Sequence, residues 1–215
     1  MSFLIYGDRG SGAFSAEAAL AEAGAHYEFR PVSLRLNEQR APAFLAINPS
    51  GKMPALQPPE GGVVTESLAI LVMLAERFPE AQLLPPPGSF ARAQALRWLA
   101  FMATELYPMV EIVDYPARFV PEGTESDALR ERAREKLRER ILIIEHAVAG
   151  PWLLADGFSV TDIYAAMFSR WDIGAEFRDA NLPKLVTLAN AVAQRPRIAP
   201  IWQRHFPPRP AASVN

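Results

Sequence analysis

The spacing of apolar positions divides the chain into a front part of mixed strands and helices and a longer back part that is helical throughout. Phe3-Leu4-Ile5-Tyr6 is a short apolar run that reads as a buried strand, and a glycine-rich turn, Gly7-Asp8-Arg9-Gly10-Ser11-Gly12, follows it. Ala13, Ala16, Ala19, Leu20 and Ala23 then recur at helical spacing up to Gly24, predicting one short helix packed closely on a sheet. Tyr27-Glu28-Phe29-Arg30-Pro31-Val32 alternates as a second strand, with Pro31 marking an edge position. Pro42 sits well at the first position of a short helix or turn, PAFLAI.

Residues 48–67, NPSGKMPALQPPEGGVVTES, carry the densest punctuation in the chain. Pro49, Ser50 and Gly51 make a turn, Lys52-Met53-Pro54 leads into an apolar run, Gly61-Gly62 reverses the chain, and Val63-Val64-Thr65 is β-branched. This predicts a hairpin. Glu66 and Ser67 then open a helix bearing Leu68, Leu71, Val72 and Ala75, so a polar pair stands at a helix N-terminus, where an anion is readily held. Residues 1–80 thus predict β-α-β-α-β-β-α, an α/β sheet domain.

Leu84-Pro85-Pro86-Pro87-Gly88-Ser89 breaks all regular structure, and residues 81–90 read as the linker to a second domain, 91–215, with no convincing strand. Residues 91–106 are helical, and Pro108 and Pro116 kink or interrupt the helical pattern beyond them. Over 127–148, Leu129, Ala133, Leu137, Ile141, Ile144 and Val148 mark one face of a helix whose other face alternates both charge signs, a solvated surface. Ser159-Val160-Thr161-Asp162 reads as a capping box with Asp in the usual Glu position, flanked by Phe158 and Ile163 as a staple. Two short helices, 182–193 and 197–204, and a proline-rich tail, 207–215, complete the reading.

Composition narrows the chemistry. With 22 basic and 24 acidic residues in 215, there is no basic footprint for nucleic acid, and the longest apolar run, LAILVMLA over 68–75, is far short of a membrane span. A cytoplasmic protein with no nucleic-acid or membrane partner is expected. The absence of cysteine excludes a thiolate metal site and any mechanism using the protein's own thiol; no metal is expected.

The turn before KMPAL, TES opening a helix, the proline-rich linker and a helical domain with S-x-x-D, in that order, resemble the cytosolic glutathione S-transferases. The likeness is greatest to bacterial members with an R-W-L-A-F and Tyr-Pro segment, here 97–101 and Tyr107-Pro108. The resemblance implies a thioredoxin-like first domain followed by an all-α domain, and a homodimer. It makes Pro54 a cis-proline that turns the Met53 backbone outward to pair with the cysteinyl part of glutathione as an added strand would. It also places the γ-glutamyl carboxylate on Ser67 and the adjoining N–H groups, the γ-glutamyl amine by Glu66, and the glycyl carboxylate by Lys52. Taken singly, K-M-P is a strand start, E-S a helix start and a lone Lys a solvated side chain; their convergence in one hairpin favours binding for Met53, Pro54, Glu66 and Ser67, while Lys52 stays equally readable as a solvated side chain.

Only a thiolate attacks, and a free thiol has a pKa of about 8.5, so lowering it by two units requires about 2.7 kcal/mol of stabilisation. The resemblance puts the activating residue after the first strand: Ser11 first, then Ser15, then Tyr6, with Ser11 equally readable as a turn residue. An apolar electrophile is expected between the domains, against Trp98, Phe101, Tyr107, Tyr115 and Trp171, although aromatics at helical spacing are commonly core. Conjugation, elimination, isomerisation and peroxide reduction stay open. So do two non-catalytic alternatives, a protein-binding scaffold and a carrier of apolar ligands.

Overall fold

A computed structural model describes residues 2–171 and 173–207. The first part contains strands β1 (Phe3–Gly7), β2 (Tyr27–Pro31), β3 (Ala55–Gln57) and β4 (Val64–Thr65), with helices α1 (Ala13–Glu22), α2 (Pro42–Leu45) and α3 (Ser67–Arg77). The sheet order is β2-β1-β3-β4: β1 runs parallel to β2 and antiparallel to β3, and β3 pairs antiparallel with β4. Pro31 therefore lies on an edge strand, where its missing N–H breaks no ladder. The Met53–Pro54 peptide is cis. This is the thioredoxin-like domain that the resemblance implies.

Strand alternation decides which side chains meet which layer. Phe3 and Ile5 enter the main core with α1 and α3, whereas Tyr6 joins a small cluster on the opposite face with Val32, Phe44 and Ala55. Helix α1 is buried from Ala13 to Leu20. Its alanines permit close approach on all sides, so α1 packs against β1 and α3 within its own domain and against helices of the second domain.

Those helices are α4 (Phe90–Phe101), α5 (Tyr107–Asp114), α6 (Asp127–Ala147), α7 (Val160–Phe168), α8 (Ala175–Asn181), α9 (Pro183–Ala193) and α10 (Ala199–His205). Between α3 and α4 the chain is irregular apart from a 3-10 turn at Pro79–Ala81, and the Leu83 carbonyl accepts the Val160 N–H at 2.8 Å. The helix expected over 91–106 changes its pitch: Met102–Leu106 is a π-helical segment leading into Tyr107-Pro108. Pro108 has no N–H to give to a carbonyl of the preceding turn, and a widened turn there accommodates the loss. Helix α8 was not foreseen, and of the expected tail only Pro207 lies within the described residues. No described helix is long and apolar enough to cross a membrane.

The cap at Ser159 forms as its residue types require. The Asp162 carboxylate accepts the N–H groups of Ser159 and Leu153, each at 2.7 Å, and the Ser159 hydroxyl oxygen accepts the Asp162 N–H in return, completing the box. Phe158 packs on Trp152, ring centroids 5.1 Å apart, with the Arg195 guanidinium 3.5 Å from its centroid. Burial pushes the Asp162 carboxyl up from 3.8 to about 7, against the pull of the Leu153 and Ser159 N–H groups. The folded state thus holds this proton more tightly than the unfolded chain between those values, and the group's contribution to stability declines as pH rises through them. Replacing Asp162 with Ala should cost about 1–2 kcal/mol in urea melts, and the deficit against wild type should narrow between pH 5 and pH 7.

Candidate functional site

A cleft of about 390 Å³ opens between the two domains. Its first-domain wall is built from the turn before α1, from 51–54 before β3, and from the start of α3, bringing together Ser11, Gly12, Lys52, Met53, Pro54, Glu66 and Ser67. The facing wall comes from α5, α7 and the segment after α7, and includes Tyr107, Tyr115, Tyr164 and Trp171. The size suits a small peptide or drug-sized ligand, since such sites run to about 300–1,000 Å³.

On the first-domain wall, neither the N–H nor the C=O of Met53 has a backbone partner among the described residues, leaving both for an added strand. Glu66 is exposed and adopts φ 63°, ψ 110°, an uncommon backbone conformation for a residue with a side chain. It precedes α3, whose first residue, Ser67, is buried with its hydroxyl 2.7 Å from that of Tyr164. Burial raises the Tyr164 phenol well above its ordinary range, so it stays protonated. A protonated Tyr164 can donate to Ser67, which frees the Ser67 proton for a ligand carboxylate. Lys52 reaches across the cleft to Glu111 at 2.7 Å.

The turn before α1 is tied from both sides. Ser11 donates its hydroxyl to the Asp8 carbonyl at 2.7 Å and accepts the N–H groups of Asp8 and Ala13 at 3.2 Å. Asp8 in turn accepts from Arg9 and Leu34. From the second domain, the Trp171 indole N–H donates to the Gly10 carbonyl at 2.7 Å, while the Gly10 N–H donates to His205 Nδ1 at 3.1 Å. That bond assigns the His205 proton to Nε2, which lies 2.8 Å from the Glu17 carboxylate. Glu17, with no exposed surface, also pairs with Arg204, and burial together with the Glu17 charge pushes the Tyr27 phenol up to about 12. Gly10 has φ 72°, the left-handed conformation that glycine supplies without strain.

The hydroxyls expected to activate a thiol have other engagements. Ser15 is fully buried, donates to the Gly12 carbonyl at 2.8 Å and does not line the cleft. Tyr6 points to the far face of the sheet, edge-on to Phe44, because strand alternation turns it away from α1. Ser11 does line the cleft, but its proton closes the turn. Of the aromatics, Tyr107, Tyr115 and Trp171 line the cleft; Trp98 and Phe101 do not, being packed edge-on to each other with Arg97 over Trp98. Those two belong to the helix–helix core rather than to the site. Tyr164, Gly12, Glu17 and His205 were missed. The partners of Tyr164, Glu17 and His205 lie 97 to 195 positions away in sequence, Gly12 faces a residue of the other domain, and only the generic rule that a charge on a buried helix needs partners could point to Glu17.

Comparison with known proteins gives the chain its relatives. Residues 1–76 match the family described as glutathione S-transferase, N-terminal domain. The glutathione S-transferase-like protein gedE of Aspergillus terreus is 30% identical over 169 residues, 74% of each chain. Among solved structures, a glutathione transferase homolog from sulfitobacter with bound glutathione superposes with a TM-score of 0.86 at 25% identity, covering 93% of this chain and 96% of that one. A glutathione transferase from Methylococcus capsulatus strain Bath is 30% identical, with a TM-score of 0.76 over 92% of this chain and 96% of that one.

The buried Glu17 cluster makes a stability prediction that separates its two partners, His205 and Arg204. His205→Ala leaves a buried carboxylate short of a donor and the Gly10 N–H without its acceptor, and should cost about 3 kcal/mol in denaturant melts. Arg204→Ala, removing a partner more than a third exposed, should cost about 1 kcal/mol or less.

Proposed function

The chain belongs to the glutathione S-transferase family, and from that premise we propose that it is an enzyme that binds glutathione in the interdomain cleft and directs its thiolate at an apolar electrophile. The fold is the family's, a thioredoxin-like sheet domain followed by a helical domain. The observation that carries the proposal is the convergence of three kinds of group on one wall: an unpaired backbone at Met53, just before β3, a hydroxyl at the N-terminus of an 11-residue helix, and a carboxylate beside it.

A glutathione molecule carries two carboxylates, an amine, a peptide backbone and a thiol, and the wall offers a partner for each of the first four. Met53 pairs through N–H and C=O with the cysteinyl residue. Ser67 and the first N–H groups of α3 take the γ-glutamyl carboxylate, where the helix field favours a negative charge. Glu66 takes the γ-glutamyl amine, and Lys52, held at the rim by Glu111, takes the glycyl carboxylate. Across the cleft, Tyr107, Tyr115 and Trp171 supply an apolar wall for the electrophile. A homodimer is part of the same proposal.

One observation favours a second reading. The protons of Ser11 and Ser15 are both given to backbone carbonyls, which suits a carrier that holds glutathione without activating it.

Titration with glutathione, followed by tryptophan fluorescence for binding and by thiolate absorbance for ionisation, separates these readings. Binding with a lowered thiol pKa is expected, binding with an unshifted one makes the protein a carrier, and no binding at millimolar concentration removes both. Ser67→Ala should weaken binding about tenfold or more, through loss of a hydrogen bond to a charged group. Lys52→Ala should weaken it only a few-fold, with an effect that fades as salt is raised.

A further inference from the structure

A free hydroxyl, which the turn before α1 does not offer, reaches the cleft wall from the other domain. Gly12 stands immediately before α1, in the segment where the resemblance expects an activating side chain. A Cβ placed on Gly12 would lie 2.4 Å from the Tyr107 hydroxyl oxygen and 3.2 Å from both the Met53 carbonyl oxygen and Pro54 Cδ. No real Cβ tolerates the first of these contacts, so the bare α-carbon of Gly12 makes room for the phenol. Tyr107 thus brings its oxygen to the junction of the α1 turn and the Met53-Pro54 segment, beside the backbone offered to the cysteinyl residue.

The Tyr107 oxygen is buried, and among the described residues it has no hydrogen-bond partner. The Ser67 and Tyr164 hydroxyls lie near it but are bonded to each other at 2.7 Å. A buried hydroxyl without a partner costs about 1–3 kcal/mol, which a ligand acceptor at that point relieves. Its orientation is not accidental. The π-helical segment Met102–Leu106 sets the start of α5, and the Tyr107 ring is held edge-on by Phe168 and Trp171 at centroid distances of 5.0 and 5.2 Å. Trp171 is the same residue that donates to Gly10.

Resting on the glutathione reading above, we propose that Tyr107 is the catalytic residue that stabilises the thiolate, donating its hydroxyl to the glutathione sulfur from the second domain in place of a side chain at the start of α1. The thiol proton leaves to solvent, the phenol keeps its own, and no bond other than the S–H breaks in this step. Burial, reinforced by the Glu66 carboxylate, keeps the Tyr107 phenol protonated against the opposing effect of the Ser67 and Tyr164 hydroxyls, so it acts as a donor throughout the working pH range. Gly12 is then half of the device. Its lack of a side chain is what admits the donor.

The experiment compares wild type, Tyr107→Phe and Ser11→Ala, each titrated with glutathione by tryptophan fluorescence and, separately, by thiolate absorbance against pH. Tyr107→Phe should raise the bound thiol pKa by about one to two units, the equivalent of a charge-assisted hydrogen bond, while glutathione affinity measured below that pKa changes less than about threefold. Because the change removes a hydroxyl that has no partner, its melting temperature should not fall, which separates the effect from loss of folding. Ser11→Ala, which removes the rival hydroxyl, should raise the thiol pKa less than Tyr107→Phe does. An unchanged pKa in Tyr107→Phe, or a rise confined to Ser11→Ala, overturns the assignment while leaving glutathione binding intact. Failure of wild type to bind glutathione overturns the underlying reading and this inference with it.

Discussion

A carboxylate with no exposed surface, Glu17, sits midway along the helix on which the whole site rests. An isolated charge in such a place is prohibitively costly, so α1 can be buried only if something brings donors to it. His205 and Arg204, from the last described helix, do so. The same imidazole accepts the Gly10 N–H, and the geometry of the turn before α1 therefore depends on residues almost two hundred positions downstream. Neither domain completes that turn by itself.

The dependence extends across the cleft. Ser67 meets Tyr164, Lys52 meets Glu111, and Gly10 meets Trp171, each pair joining one domain to the other. The first domain contributes backbone groups and a helix terminus, which suit the polar ends of a peptide. The second contributes phenols and an indole, which combine apolar surface with a polar tip. Small α1 side chains and Gly12 let these two walls approach until a phenol from one occupies the space of a side chain on the other.

Much of the fold was legible because it rests on local rules. The edge position of β2 follows from Pro31, the hairpin from Gly61-Gly62, and the cap of α7 from Ser159 and Asp162. The π-helical segment was not legible, since Pro108 announces an interruption without saying whether the turn will break, kink or widen. The cleft was legible in part. The 52–54 and 66–67 residues share one hairpin and one helix start, so their proximity is local. Trp98 and Phe101 have the same composition signal as Tyr107 and Trp171 but face α-helical core, and nothing in helical spacing distinguishes a wall of a cleft from a wall of a core.

By itself, the sequence determined the order and type of most elements, the polar groups offered by the 48–67 stretch, and, through its lack of cysteine, that any thiol chemistry must use a thiol from elsewhere. These depend on residue identity and near-neighbour spacing. Tertiary structure alone decided which hydroxyl is free. Ser11 and Ser15 meet carbonyls three residues back, Tyr6 is turned away by strand alternation, and Tyr107 arrives unpartnered opposite Gly12 from 95 positions away. Whether a donor has already found an acceptor is a property of its surroundings, and the chain must fold before those surroundings exist.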